Sequence, residues 1–170
     1  DAAMKDAFRY DTKVLVEKAI AAREIEVAAL ESREAGAPAR VSVAAEIVPS
    51  HEFYSYEAKY LDDDGAALMI PARLAPDEMK RVQKIAVQAF EALGCEGMAR
   101  VDFFLDKVTG DFYFNEVNTI PGFTSISMYP KMWEASGLAY GALLSELVDL
   151  ALERQCRKGG LLREFSSAGA

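Results

Sequence analysis

Glu116 and Asn118 stand two residues apart in the run Asn115-Glu116-Val117-Asn118-Thr119-Ile120-Pro121-Gly122, and a further acid, Asp102, interrupts the apolar run Ala99 to Leu105. A carboxylate in such a run is costly unless it reaches water or a cation. Side chains alternate along a strand, so Arg100, Asp102 and Phe104 share one face, and Phe112, Phe114, Glu116 and Asn118 form one set on the other run.

The segment Asp106-Lys107-Val108-Thr109-Gly110-Asp111 has the composition of a hairpin turn and makes the two runs antiparallel neighbours. A hairpin that sets Asp102 near Glu116 sets Arg100 near Asn118. Two carboxylates and an amide oxygen then converge, and their mutual repulsion calls for a compensating cation. Oxygen donors suit a hard divalent ion, and a small ligand set that leaves room for water and phosphate oxygens suits magnesium with a nucleotide. Arg100 reads as an anion clamp beside it. The competing reading is a pair of solvated acids on an open sheet face; the Pro121-Gly122 corner and Arg100 favour a site.

The elements that must hold these residues follow from periodicity. Asp1 to Tyr10 reads as a short helix, Thr12 to Ile20 and Glu24 to Glu31 as β-rich runs, and Val41 to Val48 as another, so the first third predicts antiparallel strands of one sheet. Ser50 to Gly65 is an aromatic-rich loop of the kind that often carries function. Within it Asp62-Asp63-Asp64 lacks the ligand spacing of a calcium loop and reads as a solvated turn, and His51 as a surface residue. Pro76 to Leu93 predicts a helix with a core stripe through Met79, Val82, Ile85, Ala86, Ala89, Phe90 and Leu93, ended by Gly94. Met128 to Ser136 predicts a short helix anchored by Trp133, and Tyr140 to Gln155 a longer one through Leu143, Leu144, Leu147, Leu150 and Ala151. Residues 1–155 form the folded part and 156–170 a mobile tail.

With 51% hydrophobic residues in 170, the chain can bury a sizeable core. A formal net charge of −8 without a basic patch argues against a nucleic-acid partner. Cys95 and Cys156 fit neither a redox pair nor a zinc set and read as free thiols of a reducing compartment. No apolar run reaches the roughly 20 residues of a membrane span, and the start lacks the features of a signal peptide, so the expectation is a cytoplasmic protein with no membrane partner. The first residue is Asp1, not methionine, which suggests a piece of something longer.

Six motifs occur in order along the chain: Val16 to Ile20, Arg23 to Val27, Glu46 to Pro49, Tyr54 to Tyr60, Gly94 to Asp102 and Asn115 to Ser125. On these motifs the chain, from about Phe8 to Arg154, resembles the C-terminal half of the D-alanine:D-alanine ligases, which are ATP-grasp enzymes. The resemblance implies an α+β fold, the C-terminal part of an ATP-grasp domain, with an antiparallel β-sheet packed with helices. It implies that Asp102, Glu116 and Asn118 bind two magnesium ions (manganese as a substitute) on the phosphates of ATP. Glu17 to Ile20, with Lys18, would form the adenine hinge, and Glu24 would take the ribose hydroxyls. Read without it, Glu17, Lys18, Glu24 and Glu26 are equally the exposed face of two strands.

By the same resemblance Lys59 reaches the transferred phosphate and Tyr60 helps select the second substrate, where relatives that use D-lactate carry histidine. Arg100 and the Gly122 N–H would meet the oxyanion of the tetrahedral intermediate, and Ser127 with the Met128 backbone would hold the carboxylate of the second D-alanine. The implied activity is ATP-dependent formation of D-alanyl-D-alanine through an acyl phosphate, for peptidoglycan precursors, in an enzyme whose full-length form is a homodimer. The part of the family that holds the first D-alanine has no counterpart here, so this piece alone is expected to be inactive. Alternatives are another ATP-grasp carboxylate-amine ligase, such as a D-alanine:D-lactate ligase, or a noncatalytic interaction module.

Overall fold

The computed structural model describes residues 2–49, 66–124 and 126–162. The aromatic loop with His51, Lys59, Tyr60 and the Asp62 to Asp64 triplet, together with Ser125 and residues 163–170, lies outside the described residues.

A short helix α1 (Ala2–Ala7) precedes a six-stranded antiparallel sheet built from β1 (Ala22–Leu30), β2 (Arg40–Val41), β3 (Ala45–Pro49), β4 (Ala66–Met69), β5 (Met98–Asp106) and β6 (Phe112–Asn118). Helix α2 (Pro76–Ala92) lies between β4 and β5, and α3 (Met128–Ala135) and α4 (Tyr140–Gly159) follow β6. The strand order is β4-β3-β1-β5-β6, with β2 paired to β1. The α+β architecture matches the expectation.

β1 is the central strand, and every residue from Ile25 to Leu30 is buried, because both faces of the sheet are covered there. On one face Ile25, Val27 and Ala29 join Val101, Phe103 and Leu105 of β5 under Val82, Ala86 and Phe90 of α2. That helix starts where Pro76 sits in its first turn and the Ala75 N–H donates to Glu78 Oε2 at 2.8 Å. It stops at Gly94, in the left-handed region at φ +61°, where the N–H of Gly94 donates to Glu91 O and that of Cys95 to Phe90 O, both at 3.0 Å.

On the opposite face Ala28, Leu30 and Ala45 pack with Met128, Tyr129, Met132 and Trp133 of α3 and Leu143 and Leu150 of α4. Trp133 anchors α3 as expected, and the Tyr129 hydroxyl donates to the Ala29 carbonyl at 2.8 Å. The two helices meet at a bend of 110°, and no single helix among the described residues is long and apolar enough to cross a membrane. Arg33 pairs with Asp149 at 2.8 Å and Glu153 at 2.7 Å, which ties α4 to the loop after β1. These helices cover only one end of that sheet face. Among the described residues no helix covers the other end, and the candidate site lies there.

Five expectations are corrected. Thr12 to Ile20 forms no strand; Leu15 and Val16 are exposed, so their alternation has no sheet to pair with among the described residues. The single run Val41 to Val48 is split into β2 and β3, because Ser42 turns its hydroxyl to accept from the Ala28 N–H at 3.0 Å. β4 was not foreseen. Leu93 of the predicted α2 stripe and Leu144 and Ala151 of the predicted α4 stripe are exposed, and α4 continues past Gln155 to Gly159, taking in the start of the stretch read as a tail. Phe112 and Phe114 lie on the face opposite Glu116 and Asn118. Asp102 pairs with Glu116 but Phe103 pairs with Phe114, so a bulge at Asn115 reverses the alternation. Phe103 makes edge-on ring contacts with Phe112 at 6.3 Å and Phe114 at 6.2 Å.

Candidate active site

Strand register sets the site. Glu26 of β1, Asp102 of β5 and Glu116 of β6 lie in one cross-strand row, and Ala28, Arg100 and Asn118 lie in the next row on the same face. In the row on the other side, Glu24 is opposite Phe104. The hairpin that fixes this pairing closes on Asp106, whose Oδ1 accepts the N–H groups of Val108 at 2.7 Å and Thr109 at 3.1 Å. Those bonds hold its carboxyl below the ordinary 3.8.

Glu24, Glu26, Arg100, Asp102, Phe104 and Glu116 line an open groove of about 240 Å³. The acidic row grades outward: Glu26 is 5% exposed, the Asp102 side chain 13%, and Glu116 is on the surface. Arg100 spans it. Its Nε and Nη2 donate to Asp102 Oδ1 and Oδ2 at 2.8 and 2.7 Å, and its Nε lies 3.3 Å from Glu26 Oε1. Burial works against the guanidinium charge, but the Asp102 hydrogen bonds and the charges of Glu26, Asp102 and Glu116 outweigh it and raise its proton affinity. A permanently charged planar fork suits bidentate capture of a carboxylate.

Among the described residues three carboxylates gather around the Arg100 guanidinium, and Asp102 and Glu116 stand directly opposite, where like charges repel. Among the described residues no group of three His, Cys, Asp or Glu side chains makes a metal cage. The Asp102 and Glu116 carboxylates with the Asn118 amide oxygen could offer a hard and open oxygen set, which would suit magnesium better than a softer ion.

Beyond β6 the chain turns sharply. Asn118 Oδ1 accepts the Ile120 N–H at 3.0 Å, and Pro121 is buried. Gly122 then passes so close to the start of α3 that a Cβ there would lie 2.9 Å from Ser127 Oγ. That hydroxyl accepts the Thr124 N–H at 2.9 Å and shares a hydrogen bond with Thr124 Oγ1 at 2.8 Å. Met128, the first residue of α3, buries its side chain.

Of the residues singled out from sequence, the structure brings Glu24, Arg100, Asp102 and Glu116 to one groove, with Asn118 beside Arg100. Gly122 and Ser127 form a second contact at the corner. Glu17, Lys18 and Ile20 lie in irregular chain before β1, with Glu17 and Lys18 exposed, and do not line the groove. Lys59 and Tyr60 fall outside the described residues. The residue that sequence reasoning missed is Glu26, read as part of an exposed strand face yet buried against Arg100. Its signal was the register that puts it level with Asp102.

The family model described as D-ala D-ala ligase C-terminus matches residues 1–149. D-alanine–D-alanine ligase A of Bradyrhizobium diazoefficiens is 60% identical over 169 residues, which is 98% of this chain and 44% of that protein. The solved D-alanine-D-alanine ligase from Coxiella burnetii superposes with a TM-score of 0.78 at 41% identity, covering 95% of this chain and 41% of its own. The ligase from Bacillus anthracis, complexed with ATP, gives 0.72 at 30% identity over 93% of this chain and 49% of its own. The chain thus spans less than half the length of these relatives. On the family match and the shared fold, this chain belongs to the D-Ala-D-Ala ligase C-terminal family.

Proposed function

We propose that this chain forms the ATP-handling and acyl-transfer part of a D-alanine:D-alanine ligase. The observation that carries the reading is the in-register quartet Asp102–Glu116 and Arg100–Asn118 at the open end of the sheet. An acidic oxygen cluster next to a bound guanidinium suits phosphoryl chemistry, in which positioning and charge compensation dominate. The B. anthracis relative with ATP and the sequence identity to named ligases support it.

In this reading Asp102, Glu116 and Asn118 hold magnesium, two ions in number, with manganese able to substitute. These residues would hold the ion so that it could supply charge neutralisation to the phosphate oxygens of ATP. Glu24 accepts from the ribose hydroxyls, and the chain from Glu17 through Lys18 to Ile20 borders the adenine. The carboxylate of one D-alanine attacks the γ-phosphorus, the bond to ADP breaks, and an acyl phosphate results. The amine of the second D-alanine then attacks the acyl carbon, loses a proton, and phosphate leaves. Arg100 and the Gly122 N–H stabilise the oxyanion of that second step. Ser127 and the Met128 backbone hold the incoming carboxylate, Lys59 meets the transferred phosphate, and Tyr60 favours an amine over a hydroxyl nucleophile. ATP as substrate suits a cytoplasmic location.

The test is the full-length protein carrying this chain, given ATP, magnesium and D-alanine. We expect equal amounts of dipeptide and phosphate, and in Tyr60→His a shift toward D-lactate as second substrate. Phosphate release that depends on another amine and not on D-alanine would contradict the ligase assignment and leave only the wider class.

A further inference from the structure

We propose that Glu26 is a positioning residue for Arg100, holding the guanidinium in the groove when Asp102 turns to a cation. This role rests on the assignment of Asp102 and Glu116 to magnesium given above.

The geometry poses a conflict. Both oxygens of Asp102 face Arg100, at 2.8 and 2.7 Å, and a carboxylate engaged in this bidentate way has limited capacity left for a metal. A cation at Asp102 and Glu116 weakens the hold of Asp102 on Arg100 by drawing on the same charge. Arg100 then needs a second anchor, or it swings toward solvent and loses its place beside the reacting groups.

Glu26 is built for that. It sits on the central strand, in the same cross-strand row as Asp102, and is 5% exposed. Its Oε1 already lies 3.3 Å from Arg100 Nε, longer than either Asp102 contact. A small shift of the guanidinium shortens the Glu26 contact as the Asp102 contacts open. A buried ion pair is weak evidence for stability, which leaves room for a positioning role of Glu26 beside Arg100. Glu26 is also the most buried acid of the row, set against Arg100. It therefore competes less for the cation than Asp102 does.

The experiment uses the full-length protein and its Glu26→Gln, Glu26→Asp and Glu116→Gln variants. Binding of Mn²⁺ with a non-hydrolysable ATP analogue is followed by the loss of the free Mn²⁺ electron paramagnetic resonance signal, with kcat and thermal stability measured alongside. Groups that orient metal ligands typically change affinity or activity by about 10- to 100-fold when removed. We expect Glu26→Gln to weaken Mn²⁺ binding and lower kcat within that range while Tm stays near wild type, and Glu26→Asp, which keeps the charge, to recover part of both. A Glu26→Gln protein that binds Mn²⁺ and turns over like wild type, or that loses only Tm, would overturn the role. If Glu116→Gln also leaves Mn²⁺ binding intact, the magnesium assignment falls with it. If Glu116→Gln abolishes binding and Glu26→Gln changes nothing, the assignment stands and only the role of Glu26 falls.

Discussion

Asp102 faces Glu116 directly across β5 and β6, while its neighbour Phe103 faces Phe114, so Asn115 is one residue without a counterpart on β5. The bulge lets one strand present aromatic rings to the α2 core and acids to the groove although Phe114 and Glu116 are two residues apart. Removing Asn115 makes Phe114 and Glu116 adjacent, which restores regular alternation and keeps both residues on their present faces, at the loss of one residue from the groove lining. We expect deletion of Asn115 to fold, with Tm within about 4 °C of the parent, roughly 1 kcal/mol for a chain of this size. Deletion of Val117 turns Asn118 away from Arg100 and is expected to be far more damaging. Thermal denaturation of the two variants distinguishes them.

A side chain at Gly122 has to displace the Ser127 hydroxyl. A methyl group there meets Ser127 Oγ at 2.9 Å, and that hydroxyl is already held by Thr124. In Gly122→Ala we expect Ser127 to be displaced, the KM for the second D-alanine to rise by about tenfold or more, and the KM for ATP to change little. An equal rise in both would place the strain elsewhere.

The pairing of β1 with β3 is clamped by Arg23, whose Nε and Nη2 each donate to Glu46 at 2.7 Å, and whose Nη2 also reaches the Arg73 carbonyl at 2.7 Å. These bonds from Arg23 hold the Glu46 carboxyl below its ordinary 4.5. A carboxyl depressed in the folded state stabilises it fully above the unfolded value and loses that contribution as pH falls through the folded value. Glu46→Gln is therefore expected to cost about 2 kcal/mol near neutrality. Urea unfolding should show the gap from wild type narrowing below about pH 5. A gap independent of pH would mean that the clamp acts through packing alone.

The hairpin and its acids were legible in sequence because a polar turn separates two alternating runs, but counting from the Leu105–Phe112 pair puts Asp102 opposite Asn115, and only the bulge sets it opposite Glu116. Helix α2 was legible for a similar reason, with Pro76 before and Gly94 after a regular stripe. What stayed hidden depends on partners distant in sequence. Thr12 to Ile20 alternates like a strand, but alternation supplies no neighbour to pair with. The break at Ser42 comes from one hydroxyl that takes over a backbone bond, and the bulge at Asn115 leaves no trace in a run of aromatic and polar residues. Glu26 was misread because a strand with acids at alternate positions looks solvent-facing, and only the adjacent strand with Arg100 and Asp102 makes it an interior residue.

The central claim is that Arg100, Asp102, Glu116 and Asn118 form the magnesium and phosphate site. The most direct test is calorimetric titration of the full-length protein with a non-hydrolysable ATP analogue in the presence and absence of magnesium, beside Glu116→Gln and Asp102→Asn. We expect magnesium to strengthen wild-type binding by at least about tenfold, near 1.4 kcal/mol, and to have little effect on either variant. Variants that keep the full magnesium enhancement would contradict the assignment of these carboxylates and move the nucleotide away from the β5–β6 groove.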